Sequence, residues 1–190
     1  MISEFQIEEW IRELSAQPTR LKYGSSKALR LASRDAPEMV YPHCALFVAQ
    51  LAGENTILRW NAAWTLGHLA AADHAGRVEK LLRRLCAPIA GPELIGAANA
   101  IGAAAEIALA KPRLADRIAG QILKVERASY ATPECRNVAI GHAIRSLGRF
   151  FPAVKRKRPI LGFVRRQLGN PRPATRRKAG QFLQRWELCR

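Results

Sequence analysis

The sequence predicts an all-α fold, a right-handed α-α superhelix in which helix pairs stack so that each buries the apolar face its neighbour leaves open. Three observations predict it. Apolar residues recur at helical spacing and nowhere alternate as in a strand. Gly, Pro, Asn and Asp interrupt that pattern at regular intervals, and every second helix repeats one short arrangement of residues. The chain of 190 residues is 48% hydrophobic and 24% charged, which is core-forming rather than disordered composition. A single domain is expected over 1–190, with an N-terminal capping helix in 1–18, four helix pairs in 19–169 and a basic closing helix in 170–190.

The elements follow in order. Ser3 and Gln6 fit a capping box, and Phe5, Ile7, Trp10, Ile11 and Leu14 then form one apolar face, giving a first helix over about 4–16. Pro18 ends it, a second helix runs from about Thr19 to Arg34, and Asp35-Ala-Pro37-Glu38 opens a third over about 37–51. Later starts are marked by Asn55, Asp73, Pro92, Pro112, Thr132-Pro133-Glu134, Pro152 or Pro159, and Asn170-Pro-Arg-Pro173, with Gly169 as a C-cap. Two of the intervening helices are expected over about 74–86 and 112–127.

Every second helix carries a related segment: Lys22-Tyr-Gly-Ser-Ser-Lys-Ala-Leu29, Arg59-Trp-Asn-Ala-Ala-Trp-Thr-Leu66, Leu94-Ile-Gly-Ala-Ala-Asn-Ala-Ile101, Arg136-Asn-Val-Ala-Ile-Gly-His-Ala143 and Arg176-Arg-Lys-Ala-Gly-Gln-Phe-Leu183. Their starting points, at positions 22, 59, 94, 136 and 176, are spaced almost evenly. A small residue stands three places on, and Leu, Ile or Ala stands seven places on. The stretch Ile57-Leu-Arg-Trp-Asn-Ala-Ala-Trp-Thr-Leu-Gly-His-Leu69 resembles the first helix of a HEAT repeat, with its basic residue, paired Ala and Leu-Gly step. The resemblance covers 19–188, departs at Leu94 and at the fourth repeat, and implies an α-solenoid of the armadillo-like kind that binds proteins or nucleic acid.

Net charge is confined to one end. Residues 1–50 hold 6 basic and 6 acidic side chains, residues 51–110 hold 5 and 5, and residues 111–190 hold 20 and 4, so the whole +16 arises after position 110. Such polarity, peaking at Lys155-Arg-Lys-Arg158 and Arg176-Arg-Lys178, fits a surface for a polyanion, nucleic acid or an acidic protein. The resemblance places the second helix of each pair on a concave face. Projected at 100° per residue, Arg77, Lys80 and Arg84 cluster to one side of Val78, Leu81, Leu82 and Leu85, and Arg113, Arg117 and Lys124 fall at nearly the same angle on their own helix. A basic ribbon is expected to run from these six through Lys155, Arg156, Lys157, Arg158 and Arg166 to Arg176, Arg177 and Lys178. A solvated flank is the simpler alternative. Trp60 and Trp64, with His68, lie opposite Leu58, Ala62, Leu66 and Leu69; they offer a stacking platform for bases, or pack against the next repeat, the preferred reading.

Enzymatic motifs are missing: there is no G-x-G-x-x-G, Walker loop, H-E-x-x-H or G-x-S-x-G, and no His-Glu dipeptide of the HEAT-type di-iron hydroxylases. His43, His68, His74 and His142 lack metal spacing, and His43 and Cys44 diverge on a helix, so no metal, cofactor or catalytic residue is assigned. Cys44, Cys86, Cys135 and Cys189 form neither a disulfide framework nor a zinc pattern. Among HEAT-like enzymes the alternative is a DNA glycosylase acting on alkylated bases, for which Asp35, Asp73 and Asp116 are the only aspartates; the bilin lyases share the repeat but no further residue. The stretch from Ile89 to Ala110 holds no Lys or Arg and has the length of a bilayer span, yet Pro92, Glu93, Asn99, Glu106 and its Ala/Gly content argue against a membrane helix. The first residues carry carboxylates where a leader would carry Lys or Arg, so a cytoplasmic place and a non-enzymatic binding role are expected.

Overall fold

The Ser3 hydroxyl accepts the Gln6 N–H at 3.2 Å and opens α1 (Glu4–Glu13). The structure, a computed structural model, describes residues 2–187 and contains helices, turns and loops but no strand among them. Cys189 lies outside the described residues. Helix α1 is shorter than expected because Leu14, Ser15 and Ala16 bond back only three positions, tightening the end. Of its apolar face, Ile7 and Leu14 are buried while Phe5 is 72% exposed.

Five long helices carry the recurrent segments: α2 (Thr19–Asp35), α5 (Thr56–Leu69), α8 (Leu94–Ala110), α10 (Pro133–Phe150) and α12 (Pro173–Glu187). Between them lie the short helices α3 (Pro37–Val40), α4 (Cys44–Gln50), α6 (Arg77–Lys80), α7 (Leu82–Cys86), α9 (Ala115–Ile122) and α11 (Arg158–Arg166). The starts of the long helices, at positions 19, 56, 94, 133 and 173, are spaced more evenly than the segments read from the sequence. Asn55 and Thr132 cap α5 and α10 as their sequence suggests, accepting the N–H of Leu58 and of Cys135, each at 3.1 Å.

The third repeat needs a correction of register. Lys22, Arg59, Arg136 and Arg176 are each the fourth residue of their helix, but the fourth residue of α8 is Ala97, not Leu94. A helix rich in Ala and Gly looks alike one turn apart, so its sequence does not separate the two registers. In the corrected register the small residues are Ser25, Ala62, Ala100, Ala139 and Ala179, all buried, and Leu29, Leu66, Ala104, Ala143 and Leu183 follow four places on, also buried.

The second helix of each pair is broken rather than continuous. Tight 3-10 turns at Tyr41–His43, Ala87–Ala90, Pro112–Leu114 and Phe151–Ala153 each hold a proline, whose missing N–H interrupts the helical ladder. Leu81 separates α6 from α7, and Leu123–Arg127 continues α9 as a 3-10 turn. Pro159 sits in the first turn of α11, and Gly169 ends a 3-10 turn without a positive φ, so it is not a left-handed C-cap.

The chain forms two compact units, one through Leu85 and one from Cys86. In the first, α2 packs along α5, α1 covers α2, and α3 and α4 pack on α5. Polar links one repeat apart reinforce this packing: Asn55 Nδ2 donates to Tyr23 at 3.1 Å, and Tyr41 donates to Asp73 at 2.8 Å. The Asp73 carboxylate, buried, also accepts the N–H groups of Arg77, Val78 and Glu79 at 2.7, 3.1 and 3.4 Å, and so caps α6 across the Gly76 turn.

In the second unit α10 packs between α8 and α12, α9 leans on α8 and α10, and α11 packs on α12. Gly91 has φ 88° and a Cβ there would lie 2.1 Å from the Ser129 carbonyl oxygen, so only glycine fits the turn before α8. Two bidentate ion pairs link residues 43 and 40 positions apart in sequence: Arg149 to Glu106 at 2.6 and 3.2 Å, and Arg166 to Glu126 at 2.9 and 2.7 Å. Among the described residues no helix is long and apolar enough to cross a membrane, and no group of His, Cys, Asp or Glu could hold a metal ion.

Candidate nucleic-acid interface

A knot of buried amides fixes the start of α12 against α10. Asn170 Nδ2 donates to Asn137 Oδ1 at 3.2 Å and to Gln167 Oε1 at 2.8 Å, while Thr175 donates to the Asn137 carbonyl at 2.8 Å. Arg172, paired with Glu134, and Arg176, donating to the Asn170 and Pro171 carbonyls, close the turn from outside. With their starts joined, the two helices leave a groove of about 410 Å³ between them.

Arg145, Gly148 and Arg149 form its α10 wall, and Lys178, Phe182, Arg185 and Trp186 its α12 wall. Two glycines of α10 face α12. A Cβ at Gly141 would lie 3.0 Å from Thr175 Oγ1 and 3.2 Å from Lys178 Nζ, and one at Gly148 would touch the Phe182 ring at 3.4 Å. The aromatic end is a cluster of ring contacts: Phe151 meets Phe182 edge-on at 5.0 Å and Trp186 at 5.4 Å, and the Arg185 guanidinium lies 4.8 Å over the Trp186 ring.

Among the described residues the groove lining holds four cations and no carboxylate. Arg149 is matched by Glu106, leaving Arg145, Lys178 and Arg185 without an ion pair among the described residues. Burial, with Arg145, Arg172 and Arg177 nearby, holds the Lys178 ammonium below its ordinary pKa. Burial likewise lowers His142, with Lys178 and Arg145 adding to the effect. Like charges held this close mark a site where an anion would relieve repulsion.

The residues expected from sequence fall in several places. In the first unit Arg77, Lys80 and Arg84 are exposed, with Arg77 6.0 Å over the Tyr41 ring. In the second, Arg113, Arg117 and Lys124 are exposed, and the last donates to Gln121 at 2.7 Å. The projection that aligned these two sets assumed unbroken α-helices; a 3-10 turn advances about 120° per residue, so the common angle does not carry across the breaks. Lys155 and Arg156 give their backbone N–H groups to Asp116 at 3.3 and 2.8 Å, and Lys157 sits 5.5 Å over Phe151. Arg158 begins α11, and Arg166 is committed to Glu126. On α12, Arg176 and Arg177 are exposed and Lys178 enters the groove. Trp60 and Trp64 are half-buried on α5, and His68, 5.8 Å from the Trp64 ring, reaches α2 at Ser33 and the Arg30 carbonyl.

Sequence reasoning missed Arg145, Arg149, Arg185, Trp186 and His142. The sequence marks α12 as basic through Lys178 but does not state that its face meets that of α10, and this groove lies between those two long helices. The signal was present: Arg145 and Arg149 stand one turn apart, and Lys178 and Arg185 two turns apart.

No family model, curated protein or solved structure matches the chain.

Proposed function

We propose that the protein is a non-enzymatic, HEAT-like binding module whose basic C-terminal half engages a polyanion, nucleic acid foremost. The observation that carries this reading is the α10/α12 groove, where three cations without ion-pair partners among the described residues stand beside an aromatic cluster. The excess of 20 basic over 4 acidic side chains in residues 111–190 supplies the surrounding field. The aromatic cluster favours nucleic acid over an acidic protein, because Trp186 with Arg185 over its ring offers planar surface to a base.

A glycosylase reading finds less support. Asp35 is paired with Arg34 at 2.7 Å, Asp73 caps α6, and Asp116 holds the backbone of Lys155 and Arg156, so each aspartate has a structural use.

The test is retention of labelled DNA and RNA, single-stranded and duplex, over a salt series. Affinity should fall with salt, and about five or six phosphate contacts on a duplex would give a log–log slope of about −5. Failure to retain any nucleic acid at low salt refutes the reading, and an acidic protein surface becomes the leading partner. Release of an alkylated base would establish the glycosylase instead.

A further inference from the structure

Three features make the α10/α12 groove a more specific site than a basic surface. Its two ends differ in chemistry: Lys178 and Arg145 lie towards the charged end, while Phe182, Trp186 and Arg185 form the aromatic end. Gly148 lines it without a side chain, and at Gly141, just beyond it, a Cβ would crowd Thr175 Oγ1 at 3.0 Å and Lys178 Nζ at 3.2 Å. Its volume of about 410 Å³ is on the scale of a single small ligand rather than a broad docking face.

We propose that this groove seats one unpaired strand of nucleic acid, with a phosphate between Arg145 and Lys178 and the neighbouring base added to the Arg185–Trp186 stack. The inference rests on the nucleic-acid reading above and names its site and strand. A base inside a duplex is already stacked on both faces and cannot enter a cleft between two helices; an unpaired base has a free face to give. The phosphate would neutralise the charge that Lys178, Arg145, Arg172 and Arg177 crowd together. Lys178 is half-buried, so its neutralisation is worth more than that of a fully exposed lysine. Base identity should matter little, since stacking uses a face that every base presents.

The experiment is fluorescence anisotropy of a short labelled oligothymidylate, and of the matching duplex, with the full chain and its variants. Arg145→Gln with Lys178→Gln should weaken oligothymidylate binding about tenfold and reduce the magnitude of its salt slope by about 0.7, the loss of one phosphate contact on a single strand. Trp186→Ala should weaken it about fivefold or more, and Trp186→Phe, which keeps a ring against Phe151, should recover most of the loss. In the parent, saturating oligothymidylate should raise the His142 pKa, followed by NMR, because the phosphate offsets Lys178 and Arg145. Groove variants that bind oligothymidylate like the parent, or a His142 titration unmoved at saturation, overturn the inference. So does an equal loss on duplex and single strand. Binding of nucleic acid with no effect of the groove variants leaves the broader reading standing; no binding at all removes both.

Discussion

Replacing Leu66 by alanine is the sharpest test of the repeat register. Leu66 is fully buried on α5, a helix that packs along α2 and against α4. Truncation removes the equivalent of three methylene groups from the core, about 2.4 kcal/mol at about 0.8 kcal/mol each. Neighbours on α5 such as Ala62, Ala63 and Gly67 have no side chain long enough to fill the gap. A residual cavity on the order of 70 Å³ then adds about 1.7 kcal/mol at about 24 cal/mol per Å³. Leu66→Ala should therefore cost about 4 kcal/mol. Urea unfolding followed by tryptophan fluorescence reads this well, because Trp10, Trp60 and Trp64 all lie in the unit that ends at Leu85. The midpoint should fall with the slope little changed. A variant that unfolds at the parent's midpoint would refute the placement of Leu66 in the core.

Asp73→Ala removes the α6 cap and strands the Tyr41 hydroxyl, so it should cost about 2–4 kcal/mol, whereas Tyr41→Phe should cost about 1 kcal/mol in the same urea assay; equal losses would contradict the capping role. His142 has a folded pKa below its unfolded value, so the unfolded chain takes up the proton first, and stability should fall as pH drops below about 6.5 towards the depressed pKa. His142→Gln should flatten that part of the pH–stability curve, and an unchanged acid limb would count against a half-buried neutral imidazole. In a chain carrying Cys189→Ser, a thiol reagent should modify half-buried Cys135 first; Cys44 is raised by burial and Cys86 is pushed up to about 12, so both should react only on unfolding.

The sequence by itself determined the helical class, the alternation of helices and most of their starts, because these depend on local chemistry. Asn55, Thr132 and Ser3 accept backbone N–H groups three positions further on, and a proline or a cap acts whatever the rest of the chain does. It also located the excess charge, which is a property of composition. Tertiary structure decided what each charge does. Arg166 and Arg149 look alike as exposed basic residues, yet each is matched by a glutamate one repeat away, and Asp116 serves the backbone of Lys155 and Arg156. Packing also decided that Lys178 and Arg145 share a groove, since helices 133–150 and 173–187 approach through Gly141 and Gly148, and the sequence does not state which faces will meet. The slip at Leu94 has a related origin: in a helix of Ala and Gly the local pattern repeats every turn, and where α8 begins in the folded chain distinguishes one turn from the next.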